Sequence, residues 1–460
     1  MNRREFLALS TAAGIGGILK AQVAPSLNVL GANDRIRVAC VGFSDRFRYS
    51  LLPAFQASAK DLNFEMVAVA DLWRKRLNEV AKPELEKKLG HTVETYRSDV
   101  ELYEKGKDVD AVIISTADFQ HAQHAAHAVD AGKDAYCEKP LAEDMYSANM
   151  LLDAVERKRK AGFAPGSILQ IGSQRRSGRK YMAARDYIRS GAFGDVSYVD
   201  LRWNVNQPRR WRRPEELVKS LKLEDIDWNL WLLDRDPEEY PFDPRKYLEF
   251  RLFWPFSSGT PGQWMCHQID TVAWFMGYPY PTSAISSGGL YQWVDGRQSF
   301  DTFTTIFEYG KSGEKGKGFQ CVFQSHQHNC GGGSNPNGES PIEKYYGPNG
   351  CVDMGRGKVT NEGVEGKKWE EKPLPAPEEK VVTSAITGAD SLTLAHMRNW
   401  MECVRSRRNP NAPIEAGYSH AIALIMANAS ARSGMKATFD PVRREVIVGD
   451  KVFKGYKSRI

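Results

Sequence analysis

Several features that would mark a specialised class are missing from this chain of 460 residues. Charge of one sign is not in excess: 63 Lys+Arg against 57 Asp+Glu leave +6, too thin over this length for a dedicated nucleic-acid binder. No run reaches the roughly 18 apolar residues needed to cross a bilayer, so no membrane span is expected. The seven cysteines (Cys40, Cys137, Cys266, Cys321, Cys330, Cys351, Cys403) are odd in number and scattered, with no CxxC pair. That excludes the disulfide framework of a small secreted domain and a zinc ribbon. Cys321 and Cys330 are close enough for a local bridge in an oxidising compartment, although buried free thiols are the general expectation. There is no internal repeat. What remains, 42% hydrophobic and 26% charged residues, is an ordinary globular composition with length for two or three domains.

The first residues read as an address. Arg3-Arg4 precede the 14 apolar or small residues Phe6–Leu19, a charged region followed by a short, weakly hydrophobic one. Asn2-Arg3-Arg4-Glu5-Phe6-Leu7 resembles the twin-arginine consensus, whose machinery exports folded proteins. Residues 1–24 are therefore expected to be a signal peptide and the product to be periplasmic or otherwise exported. Arg3, Arg4 and Lys20 against Glu5 carry +2 of the total charge, so the exported chain is nearer +4.

From residue 35 to about 165 short apolar runs alternate with helical stretches. Ile36–Gly42, Phe64–Asp71, Val109–Ser115 and Asp134–Cys137 read as strands, and His121–Ala131 as a helix closed by Gly132. Strands alternating with helices imply βαβ units and a parallel sheet. The Gly/Pro cluster at 161–166 is the expected domain junction. Beyond it, runs such as Asp195–Trp203 and Thr302–Glu308 mix with long loops, and helical periodicity returns at Leu392–Val404 and Ser419–Ser433. The expected fold is α/β: a dinucleotide-type domain (35–165) followed by an α+β domain (166–460) with a large, mainly antiparallel open sheet for substrate and oligomer contacts.

The first strand–helix turn, Val41-Gly42-Phe43-Ser44-Asp45-Arg46-Phe47, has one of the three glycines that let a backbone approach a pyrophosphate. Asp71 ends the second strand 29 residues later, where a carboxylate accepts from a ribose hydroxyl and repels a 2′-phosphate. That favours NAD over NADP, with Arg74, Lys75 and Arg76 blunting the preference.

A more specific stretch follows. Ala131-Gly132-Lys133-Asp134-Ala135-Tyr136-Cys137-Glu138-Lys139-Pro140-Leu141 resembles the AGKxVxxEKPL signature of the glucose–fructose oxidoreductase / inositol dehydrogenase (Gfo/Idh/MocA) family. Ser115-Thr116-Ala117-Asp118-Phe119-Gln120-His121 resembles that family's fourth-strand loop, with Ala117 where proline is usual. Leu169–Ser177 is similar to its exported members. The resemblance implies that Gly42, Ser44, Asp71, Ser115, Thr116, His121 and Glu138 lie along NAD, and that Lys139, aimed by a cis peptide before Pro140, reaches the reacting hydroxyl. Chemically, a lysine there stabilises or deprotonates the oxygen of a carbon losing hydride.

In the second half, Gln263, His267 and Asp270 recur on one helical face. They resemble the family's DxxxH…D substrate segment, which makes Lys139 and His267 the catalytic pair and Lys139, Gln263, His267 and Asp270 the substrate residues. Gln263 departs from the family acid, and an amide cannot take a proton. His121, His124 and His127 recur every three residues, but no neighbouring carboxylate or cysteine completes a set, so no metal is expected. His326 and His328 share a strand face. Trp203, Trp211, Trp228, Trp231, Trp254 and Trp264 suit either a core or sugar faces. The Arg209–Arg213 run suits an anion, a partner subunit or solvent.

These readings converge on an exported, NAD-dependent oxidoreductase acting on a hydroxyl carbon of a sugar, cyclitol or glycoside, with tightly held cofactor and a homodimeric or homotetrameric assembly. A redox-neutral glycoside cleavage by oxidation, elimination and re-reduction is one alternative. A carbohydrate-binding protein without chemistry is another, motivated by the missing turn glycines and Gln263.

Overall fold

The computed structural model describes residues 34–160, 166–192, 194–207, 209–330, 339–361, 370–375 and 390–455, and the expected signal peptide lies outside them. Both sheets belong to one unit, residues 36–460.

The short apolar runs form the first sheet. Strands β1 (Ile36–Val41), β2 (Phe64–Ala70), β3 (Glu94–Tyr96), β4 (Ala111–Ile114), β5 (Asp134–Cys137) and β6 (Leu169–Ile171) lie parallel in the order 3-2-1-4-5-6. Helices cover both faces, so Val38–Cys40 and Ala111–Ile114 are wholly buried and read as continuous apolar runs. Among the connecting helices are α1 (Leu52–Leu62), α2 (Asp99–Lys105), α3 (His121–Asp130) and α4 (Met145–Lys160). Beyond α3 the chain turns at Gly132, at φ +71°. This doubly wound order reverses direction between β1 and β4 and opens a crevice at their carboxyl ends, the usual place for a ligand.

The second sheet is mainly antiparallel. It is centred on β7 (Tyr198–Val205), β8 (Ser283–Gly289), β9 (Thr302–Gly310), β10 (Gly318–His326) and β11 (Glu339–Gly347). One edge carries β12 (Gly350–Asp353), β13 (Lys358–Asn361) and β14 (Glu370–Pro373); the other carries β15 (Ala437–Asp440), β16 (Glu445–Val448) and β17 (Lys451–Val452). Among the described residues its one parallel pair is β7 with β10. Alternation sets its faces: Val199, Leu201, Trp203 and Val205 are buried while Thr304, Ile306 and Glu308 stay exposed. The buried face packs on α5 (Cys266–Met276) and on the C-terminal helix Ile414–Ser433, which is buried nearly all round.

The first sheet takes one strand from beyond the Gly/Pro cluster. β6 pairs with β5 through Ala135 and Leu169, so the parallel sheet continues past residue 165 to Ile171. A three-residue strand after a Gly/Pro cluster has no periodicity to read. Moreover α6 (Ser391–Ser406), more than two hundred residues later, completes the first core: Trp400 is fully buried, 6.3 Å from the Phe64 ring and 6.0 Å from Tyr136. The seven cysteines are all free and six are buried, so Cys321 and Cys330 form no bridge.

Because Trp400 ties a C-terminal helix to the N-terminal sheet, Trp400→Ala is expected to lower the unfolding free energy by about 3–5 kcal/mol. The shift of the urea midpoint at constant slope measures it.

Candidate active site

A cavity of about 500 Å³ opens at the carboxyl ends of β1, β2, β4 and β5 and is closed on the far side by Trp203, Arg251, Gln263 and His267. The first turn explains its own missing glycines. Gly42 adopts φ +84°, and a Cβ there would lie 2.7 Å from Thr116 Cγ2. Ser44, at the second glycine position, accepts from the Phe47 amide (3.2 Å) and donates to Ser115 Oγ (3.1 Å), which donates to the Gly42 carbonyl (2.8 Å). Phe47, at the third, fills the core.

Asp71 accepts from the amides of Phe43 and Trp73, both at 2.9 Å, while burial pushes its carboxyl above the usual range. Arg76 spends its guanidinium on the Phe43 carbonyl (2.9 and 2.8 Å) and Arg74 on that of Glu224, so neither bonds the Asp71 carboxylate. The buried Glu138 is paired with Arg46 at 2.9 Å; burial raises its pKa, but Arg46 and Lys139 outweigh that and hold it low. His121, held neutral by burial, donates from Nδ1 to the Pro140 carbonyl (2.8 Å) and turns an unpartnered, buried Nε2 toward the cavity wall.

Lys139 precedes Pro140 through a cis peptide, as the resemblance implied, and its Nζ donates to the Gln263 carbonyl at 2.9 Å. His267 faces the same cavity beside Trp203, with ring centroids 5.8 Å apart. Burial and then the charges of Lys139 and Arg175 push its pKa well below the ordinary value, so the imidazole is neutral. Among the described residues no hydrogen bond reaches its ring nitrogens.

Gln263 has its acid after all, from elsewhere in the chain. Its Nε2 donates to Asp118 Oδ2 at 2.5 Å, Ser257 Oγ donates to the same oxygen at 2.6 Å, and Arg251 Nε donates to Gln263 Oε1 at 2.9 Å. Asp118 is fully buried on the turn after β4. It stood inside a recognisable motif, but nothing local to it shows a partner 145 residues away. Sequence reasoning also missed Glu143, packed against Gly262 and Ser258 and pushed up by burial and by Asp118.

Asp270 is placed differently from the expectation. Both its oxygens accept from Arg176 (2.9 Å at closest), His420 Nδ1 lies 3.8 Å away, and it does not line the cavity. One turn beyond His267, it faces the frame, where a buried carboxylate needs a cation. His326 and His328 face each other at 5.0 Å, outside the cavity lining. Arg212 and Arg213 are paired with Glu249, Asp295 and Asp45. The histidine face of α3 also differs: Asp99 supplies the carboxylate that its sequence neighbours lack, 2.9 Å from His124 Nδ1 and 2.7 Å from His127 Nδ1.

The fold and the crevice define a doubly wound domain of the dinucleotide-binding kind followed by an α/β second domain. Residues 36–165 match the model of the oxidoreductase family with NAD-binding Rossmann fold, and residues 240–439 match that family's C-terminal alpha/beta domain. The chain belongs to this Gfo/Idh/MocA family. It is 31% identical to inositol 2-dehydrogenase of Salmonella typhimurium over 131 residues, 28% of this chain and 37% of that protein. To inositol 2-dehydrogenase of Rubrobacter xylanophilus it is 29% identical over 194 residues, 39% of this chain and 50% of that one. The match thus spans a third to a half of these relatives' length. An Agrobacterium radiobacter oxidoreductase in complex with NAD+, L-tartaric acid and magnesium superposes with a TM-score of 0.60 at 15% identity, covering 88% of this chain and 98% of that one. Levoglucosan dehydrogenase in complex with NADH and L-sorbose gives 0.61 at 14%, covering 89% and 100%. At such identities the structures speak for the fold alone.

Two outcomes follow from this geometry. Asp118→Asn puts an amide donor against the Gln263 amide; it is expected to lower kcat by about 10- to 100-fold through misplacement of Gln263 and Lys139. NAD affinity, measured by titration on the same variant, is expected to stay within about twofold, since Asp118 lies outside the cavity lining. Because His267 is already neutral, the pH profile of kcat/KM for alcohol oxidation is expected to show no acid limb near the ordinary imidazole value of about 6.5.

Proposed function

We propose that this chain is an exported dehydrogenase that uses tightly held NAD to oxidise a secondary hydroxyl of a sugar, cyclitol or glycoside. The observation that carries the reading is the convergence of Lys139 and a neutral His267 on the cavity that also reaches Gly42 and Asp71.

The residues present fit the dinucleotide. The Gly42 turn leaves no room for a side chain, the Ser44–Ser115 bridge shapes the approach, and Asp71 stands at the end of β2 to accept from ribose hydroxyls. When bound, NAD supplies the acceptor for the hydride. The protein supplies the rest. The Lys139 ammonium, released from the Gln263 carbonyl, donates a hydrogen bond to the substrate oxygen as negative charge develops on it. The His267 imidazole accepts the hydroxyl proton. Trp203 beside His267 offers an aromatic face to the C–H side of a ring.

The relatives named inositol 2-dehydrogenase support a polyhydroxylated substrate. The Arg3-Arg4 leader supports export. Since no free NAD pool exists outside the cytoplasm, the cofactor would stay on the protein and be reoxidised there by a second carbonyl substrate. The exposed outer face of the second sheet supports a homo-oligomer, dimer or tetramer.

Native mass spectrometry of the purified protein is expected to show one retained NAD per chain, and a polyol panel to reveal a substrate that raises absorbance of the reduced cofactor. Lys139→Met is expected to keep the cofactor and to lose about 10²- to 10⁴-fold in turnover. A protein that takes up no dinucleotide, or a fully active Lys139→Met variant, overturns the reading.

A further inference from the structure

We propose that Asp99, His124 and His127 form a zinc-binding site in the wall of the cavity, on its β3 side. Ser98 Oγ caps the first turn of α2 by accepting from the Glu101 amide at 3.1 Å, which fixes Asp99 at the start of that helix. His124 and His127, three residues apart, lie on the face of α3 that meets it. The two Nδ1 atoms lie 2.9 and 2.7 Å from the same oxygen, Asp99 Oδ2, and the three candidate ligand atoms fall within 4.8 Å of one another.

Hydrogen bonding to the carboxylate serves one histidine better than the other. His127 Nδ1 makes a bond of normal geometry to Asp99. His124 Nδ1 lies 2.9 Å from the same oxygen, within ion-pair distance but off the angle of a good hydrogen bond, on a residue only 4% exposed. A cation between the three groups satisfies both nitrogens and the carboxylate at once. Tetrahedral zinc with bonds of about 2.0–2.1 Å spaces its ligand atoms at roughly 3.3 Å, so each nitrogen would draw back from Asp99 Oδ2 by about half an ångström. Two imidazoles and one carboxylate suit zinc, whereas magnesium and calcium prefer all-oxygen shells. His127 is 39% exposed at its side chain, and all three residues line the cavity, so the fourth position opens to water. The ion would clamp α2 to α3 next to the loop that follows β3, the strand paired with Asp71's. This site depends on none of the catalytic assignments above.

The test uses full-length, tag-free protein dialysed against a chelator and titrated with Zn²⁺ by calorimetry and with Co²⁺ by visible absorption. One equivalent of each metal is expected, cobalt giving the d–d bands of a four-coordinate N/O site, together with a zinc-dependent rise in melting temperature. His127→Gln and Asp99→Asn are expected to weaken metal binding at least about 100-fold. His127→Cys, which keeps a ligand, is expected to retain cobalt and add a thiolate charge-transfer band. This last variant keeps the test decisive if the others fold poorly. Failure to bind either metal at sub-millimolar concentration overturns the proposal. So does binding that survives intact in both His127→Gln and Asp99→Asn.

Discussion

The hydrogen bond from Lys139 Nζ to the Gln263 carbonyl joins the end of β5 to the helical turn that leads into α5, across 124 residues, and the site depends on it. On one side of it lies the first sheet with its Gly42 turn and Asp71. On the other lie His267 and the second sheet. The acceptor is an uncharged carbonyl, and among the described residues Lys139 forms no ion pair. An ammonium held this way keeps its charge available for a developing oxyanion, whereas a carboxylate partner would compete with the substrate. Substituting glutamine at 263 and placing the acid behind it as Asp118 achieves that separation: the carboxylate anchors the amide, and the amide's own backbone holds the lysine.

Around this bond the structure commits three buried or largely buried ion pairs to its frame. Arg46 pairs with Glu138, Arg175 with Glu343, and Arg176 with Asp270 beside His420. Such pairs contribute little net stability, because desolvation offsets most of their attraction. Losing one partner leaves an uncompensated charge, so each pair specifies one arrangement of the elements that carry it. Arg175 reaches from the 3₁₀ turn after β6 to Glu343 on β11, and Arg176 from the same turn to α5. These two arginines lock the second sheet and the His267 helix against the first domain.

Much of the first domain was legible because its signals are local: apolar runs for strands, a glycine after the α3 helix, an EKP triplet whose lysine lies at the cavity. The second sheet was legible in kind through alternation, as in Thr302–Gly310. What could not be read depends on contacts distant in sequence. The last strand of the first sheet is too short to show a period, and Trp400 reaches its core from beyond most of the second sheet's strands. Asp118 and Gln263, Asp99 and the α3 histidines, and Asp270 and Arg176 are partnerships made by topology. Asp270 shared helical spacing with His267, yet a helix turns its successive faces to different neighbours, and only the packing shows which faces the cavity.

The most direct measurement is a crystal structure of the protein with NAD and a bound polyol. The dinucleotide is expected to run from the Gly42 turn and Asp71 toward Lys139. One polyol hydroxyl should lie within hydrogen-bonding distance of both Lys139 Nζ and the His267 ring, with the Lys139 contact to Gln263 loosened. A dinucleotide bound elsewhere, or a polyol seated away from both side chains, would contradict it.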